Sequence, residues 1–247
     1  MKRYFGILSF NGTPFHGWQI QPNVISAQET IEGAMFQLLQ SEIKVVGCGR
    51  TDAGVHAKNY VLHFDTGIDF SLNQLVYKLN RILPNDIAFH RIFQVDANLH
   101  ARFNAIERSY SYYIDKFKNP FTSDRFAAFY PYELNINLMN KAAELLYKYD
   151  DFTTFSKTHT DVKNHLCKIK LAKWKETESQ FIFSITANRF LRNMVRLLVG
   201  TIIDVGRGKF TVNDFENIIK SKDRRKTSTS AAACGLFFAK VVYPNGF

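Results

Sequence analysis

Cysteine is scarce in this chain of 247 residues: Cys48, Cys167 and Cys234 stand far apart, odd in number, with no Cys-x-x-Cys pair. Such a set supplies neither a disulfide framework nor a thiolate zinc site, and it suits a reducing compartment. The seven histidines show no His-x-His or His-Glu-x-x-His spacing, so no metal is expected. No apolar run approaches the roughly twenty residues that span a bilayer. The basic stretch Met1 to Phe10 lacks the apolar core of a signal peptide. The expectation is a cytoplasmic protein without a membrane partner. No low-complexity tract and no Pro/Gly-rich linker divides the sequence, so its halves are expected to form one rigid body.

What the chain does have is aromatic residues and positive charge. It holds 23 Phe and 11 Tyr, and 46% of its residues are hydrophobic, a composition of folded globular proteins. The formal net charge is +10 and the pI about 9.5. A protein this basic has an electrostatic reason to meet polyanions, because each phosphate contact releases condensed counterions.

The periodicities give a clear first half. Arg3 to Phe10 alternates as a strand and closes at Asn11-Gly12. Ser26 with Glu29 reads as a capping box before a helix carrying Ile31, Ala34, Met35, Leu38 and Leu39. Ile43 to Cys48 reads as a short strand and Asn59 to Thr66 as another. Ser71 with Gln74 reads as a second capping box, before a helix that Pro84 stops, and Ile87 to Phe93 returns as a strand. The order β-α-β-β-α-β is that of the split βαβ, or ferredoxin-like, unit.

The second half repeats it more loosely. Glu107 to Ile114 reads as a strand with Arg108, Tyr110 and Tyr112 on one face. Leu138 to Tyr149 reads as a helix, 166–176 and 180–187 as a hairpin, and Phe190 to Val205 as an apolar helix closed by glycines. A helix follows from Thr211 and Asp214, then a last strand over Leu236 to Tyr243. The predicted class is α+β. Two ferredoxin-like units, 1–105 and 106–247, would meet edge to edge as one extended, mainly antiparallel sheet of about eight strands, with helices on one face and a cleft between the halves.

Three segments have the composition of a site. Gly47-Cys48-Gly49-Arg50-Thr51-Asp52-Ala53-Gly54 joins two strands, and its glycines permit a tight turn and close approach to a ligand. On its residues alone, a turn in which Asp52 bonds its own backbone explains it better. Arg108, Tyr110 and Tyr112 offer a charge and two rings that suit a base and a phosphate, or else rings of a half-buried sheet. Arg189, Arg192 and Arg196 fall at i, i+3 and i+7 of the expected apolar helix, as a solvated stripe does. An arginine buried there would need a carboxylate partner, which makes Arg196 a candidate for pairing with an aspartate across the cleft. The run Lys220 to Lys226 is the densest positive charge and reads as a solvated loop or an added phosphate contact.

Gly49-Arg50-Thr51-Asp52-Ala53-Gly54-Val55-His56-Ala57 resembles the signature of the TruA pseudouridine synthases. The remaining family motifs follow in order. Asn11 to Gln21 is similar to the N-terminal Y-D-G-T-x-Y-x-G-W-Q-x-Q segment, with Phe10 and Phe15 where tyrosines are usual. His63 to Thr66, Ala101 to Ala105 with Arg108-Ser109-Tyr110, and Ala187 to Arg196 with Val199-Gly200-Thr201 complete the likeness over nearly the whole chain. The segment Thr227 to Leu236 departs from the usual A-G-x-T-A-P-A-x-G-L, lacking its proline and first glycine.

The resemblance implies an isomerase that flips uridine out of tRNA and returns pseudouridine, at positions 38, 39 and 40 of the anticodon stem-loop. It implies Asp52 as the catalytic carboxylate, attacking C6 or C1′ or assisting departure of the base. It implies Arg196 as the cation that keeps Asp52 ionised, and Tyr110 as a stacking ring and general base. Arg50 and Arg108 would contact the displaced nucleotide or its phosphates, Arg189 and Arg192 would add RNA contacts, and Leu236 would pack the pocket. It implies no cofactor, a tRNA partner and a homodimer.

Overall fold

The computed structural model describes residues 1–157 and 164–244. Contacts divide the chain into two compact units, Met1–Ile106 with Phe237–Phe247, and Glu107–Leu236. The C-terminal strand therefore packs in the first unit, although the sequence reading counted it with the second half.

The first unit is built on β1 (Lys2–Phe10), β2 (Val45–Gly47), β3 (His56–Thr66) and β4 (Ile87–Val95), with α1 (Ala27–Leu39) and α2 (Leu72–Ile82) between them. The order in space is β4-β1-β3, antiparallel throughout, with β2 also antiparallel to β3. This is the split βαβ order expected from the sequence. Residues Tyr4, Leu8, Phe10, Tyr60, Leu62 and Phe64 bury their side chains as the strands pair, and α1 adds Ile31 and Met35. Ser26 caps α1 by accepting from the Glu29 amide at 3.2 Å. The second predicted capping box is not formed: Ser71 stands at the N-cap of α2, but its side chain makes no capping bond.

The second unit holds β5 (Glu107–Asp115), β6 (Ala128–Phe129), β7 (Ile169–Glu176) and β8 (Gln180–Ala187). Their order is β5-β8-β7, antiparallel, with β6 parallel to β5. Helices α3 (Ile136–Leu145), α4 (Met194–Gly206) and α5 (Val212–Ser221) complete it. Helix α5 starts where the sequence indicates and opens on a full capping box, Thr211 with Asp214. The ninth strand, β9 (Leu236–Val242), runs parallel to β3 through His56↔Phe237 and Ala57↔Phe238. The described residues thus form a mixed α+β protein with mainly antiparallel strands. Among them no helix is long and apolar enough to cross a membrane.

Two boundaries differ from the sequence reading in ways that matter for function. Strand β3 begins at His56, three residues early, because pairing with β1 and β9 extends it to the end of the Asp52 loop. Helix α4 begins only at Met194, because Asn193 before it is left-handed at φ 64°. Phe190 to Arg192 are apolar-periodic but not helical. The predicted stripe of Arg189, Arg192 and Arg196 along one helix is therefore absent, and only Arg196 lies on α4.

Candidate active site

The loop that carries Asp52 is clamped by backbone from the segment before it. The Trp18 amide donates to the Thr51 carbonyl at 3.2 Å, the Gly54 amide to Phe15 at 3.3 Å, and the Val55 amide to Asp52's own carbonyl at 3.1 Å. That last bond closes a turn through the backbone carbonyl of Asp52. Its residue is half-buried, while Arg50 and Ala53 are exposed and Thr51 and Val55 are buried. Asp52 thus sits half-buried on a backbone that is held from the segment before it.

Glycines make this possible. Gly17 has φ +90°, and a Cβ there would stand 2.5 Å from the Thr51 carbonyl oxygen. A Cβ on Gly12 would collide with the Val55 carbonyl. Any larger residue at either place would push the loop away. The Gly12 amide donates to His56 Nδ1 at 3.1 Å, and the His56 ring stacks on Phe237 at 4.5 Å. At the other end, the Tyr60 hydroxyl donates to the Gly49 carbonyl, and its ring packs against Trp18 at 4.3 Å. Sequence reasoning found these segments through the family motifs but missed the roles of Gly17, His56 and Tyr60. The signal was present in Gly12 and Gly17, which bracket Thr13 to His16, since glycines placed in this way mark close backbone approach.

A pocket of about 110 Å³ lies beside the loop, lined by Trp18, Gln19, Gln28, Val45, Val46, Gly47, Gly49, Arg50 and Arg102. Gly47 is required there, because a side chain would strike Trp18 and the Tyr60 hydroxyl, whereas Gly49 faces open space.

In the second unit, β5 places Arg108, Tyr110 and Tyr112 along one face, as the alternation predicts. Tyr112 is a core residue, fully buried, and burial holds its hydroxyl well above the usual phenol range. Tyr110 is half-buried, with its ring edge-on to Phe190 at 5.2 Å and 89°. Arg108 donates from Nη1 to the Asn188 carbonyl at 3.2 Å. The non-helical segment 188–193 therefore docks onto the β5 face and carries Phe190 against Tyr110. Arg189 extends from this segment to Asn164 at 3.3 Å, and Arg192 is exposed.

Arg196, half-buried at the start of α4, donates from Nε to the Ala231 carbonyl at 2.7 Å, and the Ala231 amide donates back to the Arg196 carbonyl at 2.9 Å. The segment that departs from the family pattern is thus sewn to α4. Asn193 Nδ2 donates to Ser230 at 2.6 Å, Ser228 donates to Asp204 at 2.6 Å, and a side chain on Gly200 would strike the Thr229 carbonyl. Leu236, which follows it, is buried at the start of β9. Gly235 before it lies flat on Tyr112, where a Cβ would stand 2.8 Å from the ring.

Residues 142–244 match a family model described as tRNA pseudouridine synthase. The chain is 48% identical over 247 residues to a Bacteroides fragilis protein named tRNA pseudouridine synthase A, covering 99% of this chain and 97% of that one. It is 47% identical to a Porphyromonas gingivalis protein and 36% identical to a Bacillus subtilis protein of the same name, with 98% of each covered. The chain belongs to the tRNA pseudouridine synthase A family.

The family model takes in the Arg189 to Arg196 segment and Leu236 but not the Asp52 loop. The loop enters the likeness through the full-length relatives. As a tRNA pseudouridine synthase, the family's enzyme class is that of isomerases.

Proposed function

We propose that this member of the tRNA pseudouridine synthase A family, an isomerase of uridine in tRNA, acts on the anticodon stem-loop at positions 38, 39 and 40. Asp52 is the reacting carboxylate, Tyr110 stacks on the target base and handles its proton, and Arg196 is the cation that keeps a carboxylate charged. Arg50, Arg108, Arg189 and Arg192 contact the RNA backbone, and Leu236 packs the pocket. The protein works as a cytoplasmic homodimer on one tRNA, and its charge of +10 suits that substrate.

The observation that carries this reading is the state of the Asp52 loop. Its backbone is hydrogen-bonded from Phe15 and Trp18 and its glycine contacts leave no slack, yet the residue bearing the carboxylate is only half-buried. A group that must meet a reacting atom within a few tenths of an ångström needs such a support. A plain turn would not.

The chemistry asks little beyond this. Uridine and pseudouridine are isomers: the N1–C1′ bond breaks, C5 bonds to C1′, and the C5 proton is replaced by one on N1. No electrons are gained or lost, so a nucleophile or electrostatic partner at C6 or C1′ and a base for one proton suffice. The uridine must first leave its stack, which costs a few kcal/mol and falls on the RNA-binding arginines and the aromatic face.

The test is pseudouridine mapping at single-nucleotide resolution on unmodified tRNA transcripts, with wild type and Asp52→Asn in parallel. Product in the anticodon arm from wild type alone supports the whole reading. Product elsewhere keeps the reaction and moves the target. Intact tRNA binding with no product from wild type leaves an RNA-binding module and ends the enzyme reading.

A further inference from the structure

We propose that Phe103 and Arg102 form an RNA platform beside the Asp52 loop, Phe103 stacking on an unpaired base of the substrate and Arg102, with Arg50, holding the adjoining phosphate. The proposal rests on the reading of the chain as a tRNA-acting enzyme.

Phe103 is 75% exposed. A solitary exposed phenylalanine is ordinary on a protein surface. This one differs because its backbone is fastened from every direction. Arg3 Nη1 donates to the Leu99 carbonyl at 3.0 Å, and the Tyr243 hydroxyl to the Ala101 carbonyl at 2.7 Å. The Ala101 amide donates to His63 Nδ1 at 3.2 Å, and the Arg102 and Phe103 amides both donate to His100 Nδ1, at 3.0 and 3.2 Å. Asn104 closes the turn twice, its side chain accepting from the His100 amide at 2.7 Å and its amide donating to the His100 carbonyl at 3.1 Å.

The ring itself is braced on one side by the His100 imidazole, with centroids 4.2 Å apart. The Arg102 guanidinium lies 5.7 Å from its centroid. A fixed, water-facing ring with a cation beside it has the parts that bind unpaired nucleotides, where every base offers a π-face and every linkage a negative charge. Its rigidity lowers the ordering cost of binding.

The pocket ties this turn to the site. Arg102 and Arg50 line the same cavity of about 110 Å³, over the open face of Gly49. Arg50 directly precedes Thr51 and Asp52, so a phosphate held by both guanidiniums would be anchored two residues from the reacting carboxylate. Both ligands that this surface suits, base and phosphate, belong to one nucleotide. That geometry favours RNA over a second copy of this chain, which carries the same net positive charge.

The experiment measures affinity of the full chain for an unmodified tRNA transcript across a range of salt concentrations, for Phe103→Ala, Phe103→Trp, Arg102→Ala and wild type. Phe103→Ala is expected to weaken binding about tenfold with an unchanged salt slope, and Phe103→Trp to restore it. Arg102→Ala is expected to lower the slope of log K against log salt by about one phosphate's worth. Because Phe103 is 75% exposed, the melting temperatures of its two variants should lie close to wild type. Equal affinity for Phe103→Ala and wild type would overturn the proposal, as would failure of tryptophan to rescue. So would a loss confined to self-association in sedimentation. Pseudouridine formation by wild type is read separately: product with no effect of Phe103→Ala sinks the platform alone, whereas an effect without product leaves the platform and sinks the enzyme reading.

Discussion

Gly17 presses its Cα against the carbonyl oxygen of Thr51, so closely that a methyl group there would stand 2.5 Å from that oxygen, and it does so at φ +90°. The contact fixes the backbone that leads into Asp52. Gly17→Ala meets two penalties at once, a left-handed alanine at about 1–2 kcal/mol and a steric clash relieved only by moving the loop. The expected result is a destabilisation of about 2–4 kcal/mol and a loss of turnover larger than the loss of tRNA affinity. Urea denaturation and single-turnover rates measure the two parts. A variant that turns over at the wild-type rate would show that the loop tolerates displacement and that its clamping has no catalytic meaning.

The segment 227–231 was the place where family likeness failed, and the structure gives its replacement parts. Ser228 donates to Asp204 at 2.6 Å, and both are buried. Asp204 also pairs with Lys209 at 3.0 Å and Arg207 at 3.3 Å. Ser228→Ala removes one donor from a buried carboxylate and should cost about 1–3 kcal/mol in urea denaturation. Since Ala231 bonds Arg196 in both directions, the same variant should also slow turnover through a displaced Arg196. Wild-type stability for Ser228→Ala would mean the segment is held by Asn193 and Gly200 without it.

Much of this was legible in the sequence because it is local. The alternation of Arg3 to Phe10, the Ser26 cap and the helix start near Thr211 each depend on residues within a few positions, and each formed. The start of α4 was not legible. Phe190 and Leu191 fit the helical spacing of Met194, Val195 and Leu198, and nothing nearby announces that Asn193 turns left-handed at φ 64°. What decides it is tertiary: Phe190 is needed edge-on to Tyr110, and Asn193 Nδ2 donates to Ser230. The Asp52 loop shows the same division. Its motif names the residues, but the reason for Gly12 and Gly17 lies in carbonyls some 34 to 43 positions away, which only folding brings near.

His63 gives a pH dependence of stability. It is 4% exposed, and burial first, then the charges of Arg3 and a protonated His100, lowers its pKa to about 4, with Asp65 opposing. The unfolded chain binds this proton near pH 6.5 and the folded one only near 4. Between those values the unfolded state holds more protons, so stability falls as pH falls across that window and is fully present above it. The loss should amount to a few kcal/mol by pH 4. His63→Gln removes the titration, so its melting temperature should change less than that of wild type between pH 7 and 4.5. Parallel curves for the two proteins would assign the acid sensitivity to other groups, with His100, whose pKa burial also lowers, the next to replace.

Tyr110 carries two proposed roles that one substitution can separate. Its ring meets Phe190 at 5.2 Å, edge to face, and that packing needs no hydroxyl. Tyr110→Phe should therefore keep this packing and bind tRNA within about twofold, because ring area and the aromatic contact are preserved. If the hydroxyl moves the proton, turnover at saturating tRNA should fall by about 10²–10⁴. Tyr110→Ala should lose affinity as well, by about 1–3 kcal/mol, as expected when a stacking ring is removed. Rapid-quench assays on a single tRNA transcript resolve the two variants. A Tyr110→Phe enzyme with wild-type turnover would leave the ring as a platform only and pass the proton to another base. In that event the pH–rate profile of Tyr110→Phe, unchanged from wild type, would carry the pKa of the group that does the work.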